Sequence, residues 1–187
     1  MTEQPTYEIA QILEQMRADY WHNLEAADQV EAGEQSDYLV IGFGLQRFGV
    51  PAGACREVLK LPRIVRVPRL PAHLPGIINL RGEIVAVTDL RPLLDLPVTE
   101  ATAGFRLVVI ASGALRTALL VERVEGMRTI AATAVATLAE GSAHAAANLF
   151  HGKLDDDEGR FLLLLDPQRL LERPDMVIDQ KGSTIND

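Results

Sequence analysis

The chain has 187 residues, 48% of them hydrophobic but only 5% aromatic, and carries a net charge of −8. That suits one domain, or two small halves sharing a core of Leu, Val, Ile and Ala, and no uninterrupted apolar run reaches the ~18 residues of a membrane helix. The opening MTEQPTYEIAQ has neither the basic nor the apolar stretch of a secretory signal, and the single Cys55 excludes an internal disulfide, so a cytoplasmic protein is expected.

The first element predicted is an amphipathic helix. Ile9, Ile12, Leu13, Met16, Tyr20 and Leu24 recur at spacings of three and four, with Glu8, Glu14, Asp19 and Glu25 opposite. A lone helix of this kind is expected to cover the domain's own surface; a docking arm for a partner is the sharper alternative. Residues 1–36 hold eight acids against one base, and EAGEQSD (31–37) reads as a polar linker.

From Tyr38 the period shortens. YLVIGFGL, RIVRVP, EIVAVTD, FRLVVIAS, TALLVERV and RFLLLLD are β-rich runs divided by Gly, Pro and charged residues. RIVRVP alternates like a half-buried strand, whereas LVVI and FLLLL are continuous and suit central strands covered on both faces. Short helices are expected at DLRPLLDL and DPQRLLE. The Ala-rich stretch 131–150 reads as helical but for the interrupting Gly141-Ser142 pair. Many short strands at close spacing predict a β-barrel or sandwich. A weak internal echo, strand–Gly turn–strand followed by an Asp that leads a Leu-rich helix, suggests two related β-subdomains around a shared core.

Chemistry is sparse. His22, His73, His144 and His151 are isolated, and no cysteine stands at zinc spacing. There is no Walker loop, no nucleophile elbow and no dinucleotide fingerprint. The run DDDEG (155–159) lacks the alternating ligands of a calcium loop and reads as a solvated hairpin turn. Cys55 reads as a small packed residue rather than a redox thiol. No cofactor and no metal is expected. Residues 47–91 hold eight bases against three acids, with Phe48 as their only aromatic. Nucleic acid is disfavoured by that lack of stacking surface, and protein contact is favoured.

The stretch LPGIINLRGEIVAVTDLRPLLDL resembles the signature of the CheW-like domain: Pro, Gly-Val/Ile-x-Asn-Leu-Arg-Gly, an apolar strand and Asp-Leu-Arg. YLVIGFGLQRFGVPAGACREVLKLPRIVRVPRLP is similar to the family's opening strands, and ALLVERVEGMRTI and LFHGKLDDDEGRFLLLLDPQRLL to its second half. The likeness covers about residues 37–173, leaving 1–36 as a helical extension with linker and 174–187 as a tail. It departs from the family pattern at Cys55, Ala118 and Glu122.

The resemblance implies a mainly β fold of two SH3-like five-stranded barrels packed pseudo-symmetrically. It also implies a non-catalytic adaptor between the cytoplasmic tip of chemoreceptors and the regulatory domain of a CheA-type histidine kinase, in arrays at the inner face of the membrane without inserting into it. By the resemblance, Arg81 lies beside a receptor groove and pairs with Glu57, while Val65, Val67, Gly76, Ile77, Ile78, Asn79 and Leu80 line or support that groove. The rival expectation is an enzyme or small-ligand-binding β-barrel unrelated to signalling, using the Asp155–Asp157 run or a histidine.

Overall fold

The computed structural model describes residues 34–138, 147–155 and 160–176. The expected N-terminal helix, the Gly141-Ser142 interruption and the tip of the acidic turn lie outside these residues. Ten strands dominate: β1 (Gln35–Phe43), β2 (Gln46–Pro51), β3 (Cys55–Lys60), β4 (Gly76–Leu80), β5 (Glu83–Asp89), β6 (Arg106–Ser112), β7 (Leu115–Val121), β8 (Arg123–Ala131), β9 (Phe150–Asp155) and β10 (Phe161–Leu165). A short helix, α1 (Pro167–Leu171), begins where Asp166 accepts hydrogen bonds from the backbone N–H groups of Gln168 and Arg169. Its proline sits at a first-turn position, where the missing N–H costs nothing.

The strands form two five-stranded sheets, ordered β8-β1-β2-β10-β9 and β3-β6-β7-β5-β4. Adding five to each strand number of the first, counting on from ten to one, yields the second. The internal echo is thus a true pseudo-symmetry, but the two sheets are not the two halves of the chain. Each draws its strands from both halves. The same relation maps the parallel pairing of β2 with β10 onto that of β7 with β5. It also maps the isolated bridge Ala136–Lys153 onto Val65–Ile77.

Three apolar clusters follow. Tyr38, Val40, Ile130, Leu154, Leu162 and Leu164 fill the interior of the first sheet. Ile78, Val85, Val87, Phe105, Leu107, Val109, Ala118 and Leu120 fill the second. Between the sheets, Ile41, Phe48, Val50, Val108, Ile110, Leu119, Val121 and Leu165 pack with α1's Leu170. LVVI (107–110) is buried on both faces because alternate residues serve different clusters. In β10 Leu162, Leu164 and Leu165 are fully buried, while Leu163 is only half-buried.

Three expectations need correction. RIVRVP is not a strand: only Val65 makes a β-bridge, because Pro62 and Pro68 flank the segment and have no N–H to donate to a ladder. The described part of the Ala-rich stretch is not α-helical but holds 3₁₀ turns at 132–134 and 147–149. DLRPLLDL gives only the 3₁₀ turn Pro92–Leu94. At the margins of the domain, Gln35 and Ser36 pair with β8, and Met176 packs on the inter-sheet cluster.

Gly76 shows how tightly β4 is seated. Its φ is 155°, and a Cβ there would lie 2.2 Å from the carbonyl oxygen of Val65. Gly76→Ala should therefore cost roughly 1–3 kcal/mol. Urea unfolding would show this as a lower midpoint at unchanged slope.

Candidate functional site

The β4–β5 connection is a two-residue turn, with Leu80 paired to Glu83. Arg81 has φ 53° and Gly82 φ 91°, the positive pair that a tight hairpin twisting with its strands requires. The Asn79 side chain accepts the Gly82 N–H at 2.8 Å and so closes the turn. A left-handed conformation costs a non-glycine residue about 1–2 kcal/mol, and Asn would bear it far more easily than Arg. Turn formation does not explain an arginine here.

The Arg81 guanidinium donates to Glu57 Oε2 of β3 at 2.8 Å. The arginine side chain is 79% exposed and that of Glu57 22% exposed, and the pair links the two edge strands of the second sheet, β3 and β4, through the β4–β5 turn. At that exposure it contributes only ~0–1 kcal/mol to folding.

Alternation then sorts the remaining residues. Gly76, Ile78 and Leu80 point inward and Ile77 and Asn79 outward. Ile78 is 2% exposed within the barrel core, and Gly76 is also buried. These two, expected at the groove, are both buried rather than presented at the surface. Leu80 packs half-buried against the same core. On the outer face Val65 bridges Ile77 through two 2.9 Å backbone hydrogen bonds, and Val67 is half-buried in the same loop. Ile84, directly across from Asn79, is 63% exposed, more than Val65 at 54%. The sequence reading missed Ile84, although the alternation of EIVAVTD places it on this face. Beside it Glu83 pairs with Arg116 of β7.

A second polar constellation lies within the fold. Arg91, at 1% exposure, donates through Nε and Nη2 to both Asp89 oxygens, at 2.8 Å for the shortest contact. Its Nη1 donates to Thr99 Oγ1 at 2.9 Å and to Glu122 Oε1 at 3.2 Å. The guanidinium lies 5.3 Å from the centre of the Phe105 ring. Burial works against the charge, but the hydrogen bonds and charges of Asp89 and Glu122 more than offset it, and the Arg91 pKa is raised. Glu122 Oε2 also accepts the Gly44 N–H at 2.6 Å, which ties the β1–β2 turn of one sheet to the end of β5 in the other. Glu122 is thus a structural junction. Ala118, the other departure, is fully buried in the second barrel.

Cys55 is half-buried, and burial pushes its thiol up to about 11 despite the opposing pull of Arg56. That is the wrong direction for a nucleophilic thiolate. Among the described residues no group of three or more His, Cys, Asp or Glu side chains could hold a metal. Nor is any described helix long and apolar enough to cross a membrane.

Comparison with known proteins gives a consistent result. The family model for the CheW-like domain matches residues 37–175. The chain is 23% identical over 145 residues to chemotaxis protein CheW of Bacillus subtilis, covering 78% of this chain and 91% of that protein. It is 28% identical over 100 residues to protein FrzA of Myxococcus xanthus, covering 54% and 62%. The crystal structure of the scaffolding protein TtCheW from Thermoanaerobacter tengcongensis superposes with a TM-score of 0.67 at 20% identity, over 75% of this chain and 94% of that one. Its likeness establishes the pair of SH3-like subdomains.

Proposed function

The chain belongs to the CheW-like domain family and is a coupling adaptor of the chemotaxis type; on that premise we propose that it joins the cytoplasmic tip of a chemoreceptor to the regulatory domain of a CheA-type histidine kinase, without catalysis of its own. The rival reading, an enzyme or small-ligand barrel, draws no support from its relatives.

The observation that carries the receptor side is the Arg81 turn. An arginine is kept in a left-handed conformation that Asn or Gly would occupy at less cost, and its guanidinium reaches Glu57 on the opposite edge strand of the sheet. Backbone strain retained at an exposed position favours a role for the side chain in recognition. Around it the exposed Val65 and Ile84, with the half-buried Ile77 between them, offer an apolar face, and Glu83 and Arg116 add a charged rim. A helix laying its apolar stripe against such a face, with charged contacts at the margin, is an established recognition mode. Receptor contact is assigned to Arg81, Glu57, Val65, Val67, Ile77, Asn79 and Leu80, with Gly76 and Ile78 beneath them.

Co-sedimentation of the purified chain with a receptor cytoplasmic fragment and a CheA-type kinase tests the proposal. The chain is expected in the pellet with both partners, and kinase recovery should depend on its presence. Failure to bind either partner would sink the adaptor reading. Binding of receptor alone would restrict it to a receptor-side scaffold.

A further inference from the structure

The three acids of the segment 47–91 are all engaged. Glu57 pairs with Arg81, Glu83 with Arg116 and Asp89 with Arg91. The eight bases of that segment are therefore in excess, and the excess gathers on the connection between β3 and β4. Lys60, Arg63, Arg66 and Arg69 are all exposed there, and among the described residues none of the four has a hydrogen-bond or ion-pair partner. Asp89 and Glu100 line the larger hollow beside Arg66. Asp89 already belongs to the buried Arg91, and Glu100 is exposed and makes no ion pair among the described residues. The block stays net positive.

The connection is firmly mounted. Leu61 and Ile64 pack on the core of the second barrel, and Val65 exchanges two 2.9 Å backbone hydrogen bonds with Ile77. Pro62, Pro68 and Pro71 restrict the backbone between the cations. Arg69 is held at φ 66°, a conformation that Asn or Gly adopts at less cost. Here, as at Arg81, the backbone bears strain while presenting an arginine. Arg63, Arg66 and Arg69 recur at every third residue, with Val65 and Val67 among them. Through the Val65–Ile77 bridge this charged row adjoins the apolar face of Val65, Ile77 and Ile84.

We propose that Lys60, Arg63, Arg66 and Arg69 form a steering surface, which selects receptor tips that carry a row of carboxylates beside their apolar stripe. The proposal rests on the receptor reading of the Arg81 face. A chain of net charge −8 repels an acidic helix at long range, and a local block of cations reverses the field where that helix lands. Exposed rim charges act on the rate of encounter more than on the lifetime of the complex. Arg81, at the contact itself, acts on dissociation. Nucleic acid is the weaker match, because residues 61–75 include no Phe, Tyr or Trp on which a base could stack.

Stopped-flow association with the receptor cytoplasmic fragment tests this in about 0.01 M and about 1 M salt, between which the screening length falls from ~30 Å to ~3 Å. At low salt the triple variant Arg63→Gln, Arg66→Gln, Arg69→Asn should associate roughly tenfold more slowly or worse, within the 10–10³-fold that charge steering supplies. Its dissociation rate should hardly change, and at high salt it should match wild type. A receptor fragment whose tip acids are replaced by amides should meet the wild-type chain as slowly as the unaltered fragment meets the variant. Circular dichroism checks that the variant keeps its β-fold; if it does not, the salt dependence of wild type and the amide fragment decide.

Equal association rates for wild type and a folded variant, or a wild-type rate unmoved by salt, would overturn steering and leave receptor coupling intact. A loss seen only as faster dissociation would make the arginines anchors, and would equally overturn it. So would unchanged receptor association in a variant that no longer binds oligothymidine, or vesicles of phosphatidylcholine and phosphatidylserine in equal parts, if wild type binds either. A wild-type chain that binds no receptor fragment would overturn the coupling reading, and the proposal with it.

Discussion

Asp89→Ala should cost about 3–5 kcal/mol, the usual penalty for stripping one partner from a buried ion pair, and so a large part of the 5–15 kcal/mol that holds a typical domain together. Arg91 is as buried as the leucines around it, and Asp89 engages both Nε and Nη2 of its guanidinium as well as the Arg91 backbone N–H. Removing the carboxylate leaves those buried donors with Glu122 and Thr99 reaching only Nη1. The double variant Asp89→Leu, Arg91→Met should recover much of the loss, because an apolar pair needs no hydrogen-bond partners. Urea titration of both proteins measures this. An Asp89→Ala protein within about 1 kcal/mol of wild type would mean that solvent reaches the arginine.

Arg81 should behave in the opposite way, with binding lost and folding kept. Arg81→Ala removes an exposed pair worth only ~0–1 kcal/mol, and alanine inherits the same left-handed strain, so the melting temperature should hardly move. Arg81→Asn relieves that strain and should raise stability by up to roughly 1 kcal/mol. Both should weaken receptor binding by ~2 kcal/mol or more, the scale of an interface hot spot and about a 30-fold change in affinity. Arg81→Glu should be worse still, since it sets two carboxylates face to face, and adding Glu57→Arg should restore part of the loss if pairing itself positions the groove. Pull-down of receptor fragment alongside melting curves separates the two quantities. An Arg81→Asn protein that is more stable and binds normally would make the turn purely structural and move recognition to another surface.

The sequence made the strands legible where period and composition agreed: β1, β5, β6, β7 and β10 all fall on the apolar runs that suggested them. The Arg81–Glu57 pair, 24 residues apart in sequence, came from the family resemblance, and the geometry brings the two side chains together. Arg91 was not legible, because an arginine after a strand is by default a surface residue, and its partners Thr99 and Glu122 come from separate elements. The Asp-Leu-Arg spacing was the available signal, since a carboxylate two residues earlier can satisfy a buried guanidinium. The exchange of strands between the halves was equally hidden. Alternation tells which residues form strands, but nothing local announces that β2 will run parallel to β10.

That exchange orders the birth of the protein on the ribosome. The second sheet is complete when β7 ends at Val121, but the first must wait for β10, which ends at Leu165. At ~5–20 residues per second the gap lasts several seconds. During it the barrel that bears Arg81 can close while Val108, Ile110, Leu119 and Val121, destined for the inter-sheet cluster, have only the unfinished first sheet to cover them. The nascent chain is most vulnerable to chaperone capture or self-association in that interval. A cut anywhere between the two halves cannot release a smaller working unit, because each barrel would lose strands to the other fragment.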